Sequence, residues 1–123
     1  MFTDKKVMVI DDSKTVRSYH KTLLQDLGAE VFEAENGMEA LEKSLENTVD
    51  LFLVDINMPI MDGYSFVKEI RTKEAHHTTP IIMISTQSHE EDKVEAYDMG
   101  ANLYAIKPIK PDDLNRMLKI IFA

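Results

Sequence analysis

A small set of residues in this chain could do chemistry together: the acid pair Asp11 and Asp12, the acid Asp55, the hydroxyls Ser85 and Thr86, and the amine Lys107. Each follows directly on a short apolar run, at residues 7–10, 51–54, 81–84 and 103–106. An apolar run without alternation that ends in turn residues reads as a strand buried on both faces, the kind found in parallel sheets. All the carboxyl ends of a parallel sheet share one edge, and ligands bind in the crevice there. Taken alone, Asp55 is an acid that ends a strand and starts a turn. In company it is one of three carboxylates, and each close pair repels by on the order of a few kcal/mol at an effective dielectric near 20. Such a group either shares protons or holds a cation. Hard oxygen donors without His or Cys favour Mg²⁺ or a similar divalent ion, which keeps several waters and adds a phosphate oxygen from a substrate.

The elements that must position these residues are legible in order. After Ser13, the residues Val16, Tyr19, His20, Leu23, Leu24 and Leu27 recur at the spacing of one helical face, with Gly28 as terminator. His20 falls on the packed side of that helix and reads as a buried-edge or boundary histidine. Residues 29–34 form a second strand, Asn36 with Glu39 caps a second helix, and Met38, Leu41 and Leu45 are its expected inward stripe. Beyond Gly63, Phe66, Val67 and Ile70 mark a third helix, and the polar segment 72–79 carries His76 and His77, which read as loop residues. Ser88 with Glu91 suggests a cap on a fourth helix ending at Met99 and Gly100, whose apolar face (Val94, Ala96, Tyr97, Met99) is thin and therefore loosely held. Pro111, Asp112 and Asp113 suit a first helical turn, followed by the stripe Leu114, Met117, Leu118 and Ile121. Five strands alternating with five helices imply an α/β fold, a doubly wound parallel sheet with right-handed crossovers. The eight methionines are expected mostly on strands and inward helical positions, as core filler.

Size and composition bound the function. A chain of 123 residues suits one domain, residues 1–123, and 44% hydrophobic with 29% charged residues is an ordinary globular balance. No apolar run approaches the roughly 20 residues of a membrane span, and no signal-peptide core precedes the first strand, which points to the cytoplasm. The lack of cysteine removes disulfides and thiolate chemistry. A net charge of -8 with scattered Lys and Arg argues against a nucleic-acid surface and suits cation binding.

The pair Asp11 and Asp12, the run from Asp55 through Ile56, Asn57, Met58, Pro59, Ile60, Met61 and Asp62 to Gly63, the hydroxyl Ser85, and Tyr104 with Ala105, Ile106, Lys107 and Pro108 carry a family resemblance. Over its whole length the chain resembles the response-regulator receiver domain, above all the single-domain chemotaxis branch. The resemblance implies a flavodoxin-like sheet of order 2-1-3-4-5, Asp55 as phospho-acceptor, and Mg²⁺ held by Asp12, Asp55 and the Asn57 carbonyl, with Asp11 acting mainly through water. It also implies Lys107 and the Thr86 backbone N–H on the phosphoryl oxygens, Ser85 and Tyr104 as a switch pair, and a cis bond between Lys107 and Pro108. The implied partners are a sensor histidine kinase and, for a monomeric chemotaxis regulator, a flagellar motor switch protein or a phosphatase. Such a domain promotes its own phosphorylation and dephosphorylation and is otherwise no enzyme.

The chain departs from that pattern in places. Ser85 stands where Thr is common, so its rotamers are less restricted. Thr86 stands where a smaller residue is frequent and is expected to narrow access, and Gln87 and Asn57 flank the site and bear on the attacking water. Ile109, Lys110, Met117 and Ile120 are expected on the output face. Rival readings are a receiver in a phosphorelay outside chemotaxis, a receiver-like module that works without phosphorylation, a flavodoxin, whose phosphate Asp11 and Asp12 would repel, and an aspartyl-phosphate phosphatase, which normally needs a second catalytic acid and a longer chain.

Overall fold

The computed structural model describes residues 1–86 and 89–123. The order of elements is β1 (Lys6–Ile10), α1 (Lys14–Asp26), β2 (Glu30–Ala34), α2 (Gly37–Glu46), β3 (Leu51–Asp55), α3 (Gly63–Ile70), a single 3₁₀ turn (Glu74–His76), β4 (Ile81–Ser85), α4 (Glu90–Met99), β5 (Leu103–Ile106) and α5 (Pro111–Ile121). All strand pairings are parallel, and the sheet order is β2-β1-β3-β4-β5. This is the flavodoxin-like arrangement that the family resemblance implied.

Alternate residues of each strand feed two separate cores. Met8, Ile10, Phe52, Val54, Ile81 and Met83 pack with Phe66, Val67, Ile70 and Ala96 on one face. Val7, Val9, Leu51, Leu53, Ile82 and Ile84 pack with Leu24, Leu114 and Leu118 on the other. β3 and β4 are buried at every position, which is why their sequences run apolar without alternation. Register then aligns the ends: Ile10 pairs with Val54, Asp55 with Ile84, and Ser85 with Ile106. Asp11, Asp55, Ser85 and Lys107 therefore step along one edge.

The structure corrects several expectations. α2 turns Gly37, Ala40 and Ser44 inward, while Met38 and Leu45 are 44% and 77% exposed. The reason is close packing at the start of the helix, since a Cβ at Gly37 would stand 2.8 Å from the Met61 Cγ. Ile109 is buried and so does not lie on an output face, whereas Ile120 is exposed. His76 is buried too, with its ring edge-on to Phe52 and its Nδ1 paired with the Thr79 hydroxyl at 3.1 Å. Of the methionines, Met8 and Met83 are core, but Met1, Met38 and Met99 are exposed. The expected cap at Ser88, and Gln87, lie outside the described residues. α4 ends at Gly100, whose φ of 118° requires glycine, and it buries Ala96 alone among its residues. No helix among the described residues is long and apolar enough to cross a membrane.

Candidate functional site

β1 delivers Asp11 to the sheet edge fully buried, while Asp12 is exposed beside it. Ser13 caps α1 by accepting from the Val16 N–H at 3.3 Å, and its own N–H donates to Asp11 Oδ1 at 2.8 Å. The other Asp11 oxygen stands 3.3 Å from Lys107 Nζ. Arg17, which the sequence reading passed over, holds the acid turn from behind. Its guanidinium donates to the Asp11 carbonyl at 2.7 Å and to Glu33 Oε1 at 3.1 Å. The hydrogen bond from Lys21 leads in holding the Glu33 carboxyl below the usual range, with Arg17 adding to it. The available signal was its spacing: Arg17, His20 and Leu24 share one helical stripe, and all three are buried.

Asp55 closes β3 at 1% exposure. Lys107 Nζ stands 3.1 Å from its Oδ1, an ion-pair distance without hydrogen-bond alignment, so neither carboxylate oxygen has a hydrogen-bond partner among the described residues. Burial pushes the Asp55 carboxyl up to about 6, the Asp11 charge adds to this, and Lys107 opposes it. For Lys107, burial works against the charge, but the contacts with Asp55 and Asp11 outweigh it and hold its pKa above the usual lysine value.

Beyond Asp55 the backbone is tightly built. Gly63 opens α3 with its N–H on the Ile56 carbonyl at 2.8 Å, and a Cβ there would stand 2.4 Å from the Asp55 carbonyl oxygen. Only glycine lets α3 begin this close under the strand end. Asp62 caps the helix through the Ser65 N–H at 2.8 Å. Between them Ile60 has a φ of 69° and lies at the centre of an i→i+2 hydrogen bond from the Met61 N–H to the Pro59 carbonyl, a strained γ-turn. Asn57 is exposed in the bend after the strand.

Ser85 is buried at the end of β4, and Thr86 is exposed next to it. Tyr104 is 9% exposed and packs in the core that also holds Ala96 and Ala101. The Lys107 N–H donates to the Ser85 carbonyl at 2.9 Å, and the Lys107–Pro108 peptide bond is cis. The structure thus gathers Asp11, Asp12, Asp55 and Lys107, sets Ser85 and Thr86 on the adjoining strand end, and seats Tyr104 one strand further, on β5.

The three acids each offer an oxygen within 4.8 Å of the others. The buried oxygens of Asp55, which accept no hydrogen bond among the described residues, and the exposed Asp12 form an all-oxygen set open to solvent on one side, which fits a Mg²⁺ ion that keeps part of its water shell. Both Asp11 oxygens already have partners, so Asp11 fits a water-mediated role better than a direct one.

Known proteins are similar to this chain over nearly its whole length. Chemotaxis protein CheY1 of Helicobacter pylori is 39% identical over 118 residues, which cover 94% of this chain and 95% of that protein. Chemotaxis protein CheY4 of Vibrio cholerae superimposes with a TM-score of 0.90 at 38% identity, covering 95% of this chain and 98% of that one. TrrA of Thermotoga maritima, a response regulator solved in complex with Mg²⁺ and BeF, superimposes with a TM-score of 0.84 at 33% identity, covering 95% and 98%. The model of the response regulator receiver domain matches residues 7–119. With the same fold, the acids gathered on one sheet edge and the lysine among them, the chain belongs to the response regulator receiver domains of two-component signalling, and its relatives include chemotaxis regulators.

Proposed function

We propose that Asp55 accepts a phosphoryl group from the phosphohistidine of a sensor kinase, or from a small acyl phosphate, with Mg²⁺ held by Asp12, Asp55 and the Asn57 carbonyl. The observation that carries this is a buried carboxylate that accepts no hydrogen bond among the described residues, an ammonium ion-paired with it at 3.1 Å, and two further acids beside it. One Asp55 oxygen attacks phosphorus, the bond from phosphorus to the donor's leaving group breaks in line, and the product is an aspartyl phosphate. Bound Mg²⁺ would supply charge to offset the repulsion between the Asp55 carboxylate and the dianionic phosphoryl group. Lys107 moves little to reach the incoming oxygens, since its amine already stands between Asp55 and Asp11. The Thr86 N–H faces the same group. Hydrolysis of the aspartyl phosphate by an in-line water resets the domain.

The added charge of nearly two beside Ser85 draws its hydroxyl toward the phosphate and changes the packing against Tyr104. Tyr104 and Ala96 share one core, and Ala96 is the single buried residue of α4, so a shift at Tyr104 reaches the helix with the least to hold it. The surface of α4, β5 and α5 is the output, and its partner in a chemotaxis pathway is a flagellar motor switch protein, with a phosphatase as a further partner. Residues 1–123 act as one receiver domain in the cytoplasm.

The test is intact mass after incubation with acetyl phosphate and Mg²⁺. The expected result is one added phosphate on the wild type, lost on chelation of Mg²⁺ and absent in Asp55→Asn. Equal addition to Asp55→Asn would overturn the assignment.

A further inference from the structure

Lys107 can act on Asp55 only if the chain that carries it is held in place. On its amino side the backbone is tied to the sheet, through the Lys107 N–H on the Ser85 carbonyl. On its carboxyl side Pro108 has no N–H, so the first residue able to bond through both backbone groups is Ile109. Both of those groups are taken by neighbouring residues of α1. The Ile109 N–H donates to His20 Nε2 at 3.2 Å, and the Tyr19 hydroxyl donates to the Ile109 carbonyl at 2.9 Å. The two rings brace each other edge to face at 5.2 Å.

His20 is an expensive way to fill this position. It is fully buried, and because Nε2 accepts, the proton of the neutral ring sits on Nδ1, which has no partner among the described residues. Burial holds the ring neutral, its pKa pushed down to about 4, with the Lys107 charge adding to this. A buried donor left unpaired is destabilising, so an apolar residue would serve packing alone at less cost. What an apolar residue cannot do is accept from Ile109.

We propose that Tyr19 and His20 form a two-point clamp on Ile109 and are positioning residues for Lys107, setting the reach of its amine to the acceptor carboxylate. The proposal rests on the reading of Asp55 as phospho-acceptor. It ties the rate of phosphoryl acceptance to α1, an element that supplies none of the reacting groups. Misplacing a catalytic group by about 1 Å can cost on the order of a hundredfold in rate.

The test compares wild type with His20→Val, His20→Gln and Tyr19→Phe, each also in a Lys107→Ala background. Phosphate addition from acetyl phosphate is followed by intact mass, Mg²⁺ affinity by calorimetry, and the Lys107 amine by its ¹⁵Nζ resonance. His20→Val is expected to slow phosphorylation roughly tenfold to a hundredfold with Mg²⁺ affinity unchanged, and Tyr19→Phe to slow it less. Glutamine, whose Oε1 can take the place of Nε2, should restore most of the rate. In Lys107→Ala neither change should slow the reaction further. The Lys107 resonance should lose its ion-paired character in His20→Val and keep it in His20→Gln. Full rate in His20→Val, or the same loss with and without Lys107, overturns the clamp. A wild type that takes no phosphate sinks the acceptor reading instead, and the Lys107 resonance then decides the clamp by itself. Tyr19→Phe keeps the ring on a partly exposed helical position and carries the test if His20→Val fails to fold.

Discussion

Asp55 and His20 are buried ionisable residues whose pKa values are displaced in opposite directions, and together they shape how stability responds to acid. The folded-state pKa of Asp55 is raised to about 6 from 3.8, so without Mg²⁺ its charge destabilises the fold above pH 6, and that cost is relieved as pH falls toward 4. The folded-state pKa of His20 is lowered to about 4 from 6.5, so the stability that depends on its neutral form is lost over nearly the same range. Each shift corresponds to about 3 kcal/mol, and the two oppose each other. In chelator, acidification from pH 6.5 to 4 should therefore cost Asp55→Asn more stability than wild type in urea unfolding, and His20→Gln less. A second prediction concerns Ile60, a β-branched residue at φ 69° that is 80% exposed and so gains little from burial in return. Relief of positive-φ strain of roughly 1–3 kcal/mol should make Ile60→Gly more stable, with a higher urea midpoint and an unchanged slope.

Among the elements, α4 is unequally held. Its first turn is capped by no side chain of His89, whereas its last turn is tied down by Arg71. Arg71 donates to the carbonyls of Gly100 at 2.8 Å, His76 at 3.0 Å and Thr79 at 2.6 Å, and to Asn102 Oδ1 at 3.0 Å. This side chain joins the end of α3 to the turn after α4 and to the entry into β4, since Asn102 Oδ1 also accepts from the Ile81 N–H. The helix is thus held by several bonds at Gly100 and, near its start, by the Tyr64 hydroxyl on the Asp92 carbonyl at 3.4 Å, so the proposed Tyr104 switch would act on its less firmly held amino-terminal half. Hydrogen exchange should be faster in α4 than in α1 or α5, with the gradient running from fast at Glu90 to slow at Met99. Arg71→Met should abolish that gradient and cost roughly 2–3 kcal/mol in urea unfolding, because several carbonyls lose a charged donor together.

At the scale of the whole molecule, the acids on the sheet edge add to a chain of formal charge -8. Folding forces the three carboxylates together, so a divalent ion that binds the folded state alone should stabilise it. At a hundredfold excess over Kd, Mg²⁺ should add about 2.7 kcal/mol, seen as a raised thermal midpoint, and Asp12→Ala should lose most of the increase. Much of this architecture was legible in the sequence. Apolar runs without alternation identify strands buried on both faces, and a chain that alternates such strands with helical stripes has essentially one handed way to wind, so Asp11, Asp12, Asp55, Ser85 and Lys107 had to share an edge. Spacing within a single element was enough for that. What it did not determine was the full inward face of α2, because whether Gly37 and Ala40 or Met38 and Leu45 join Leu41 against the core depends on how near the helix lies to Met61, a distance set by another part of the chain. The same holds for Arg17, His76 and Ile109, polar or surface-like in the sequence and buried in the fold, since a buried polar group is tolerable only where a partner from a distant segment meets it. The sequence by itself determined which strand ends carry the acids, the hydroxyls and the lysine. Only the tertiary structure decided what holds them, because the partners, Glu33 for Arg17 and Ile109 for His20, come from segments that nothing in local spacing ties together.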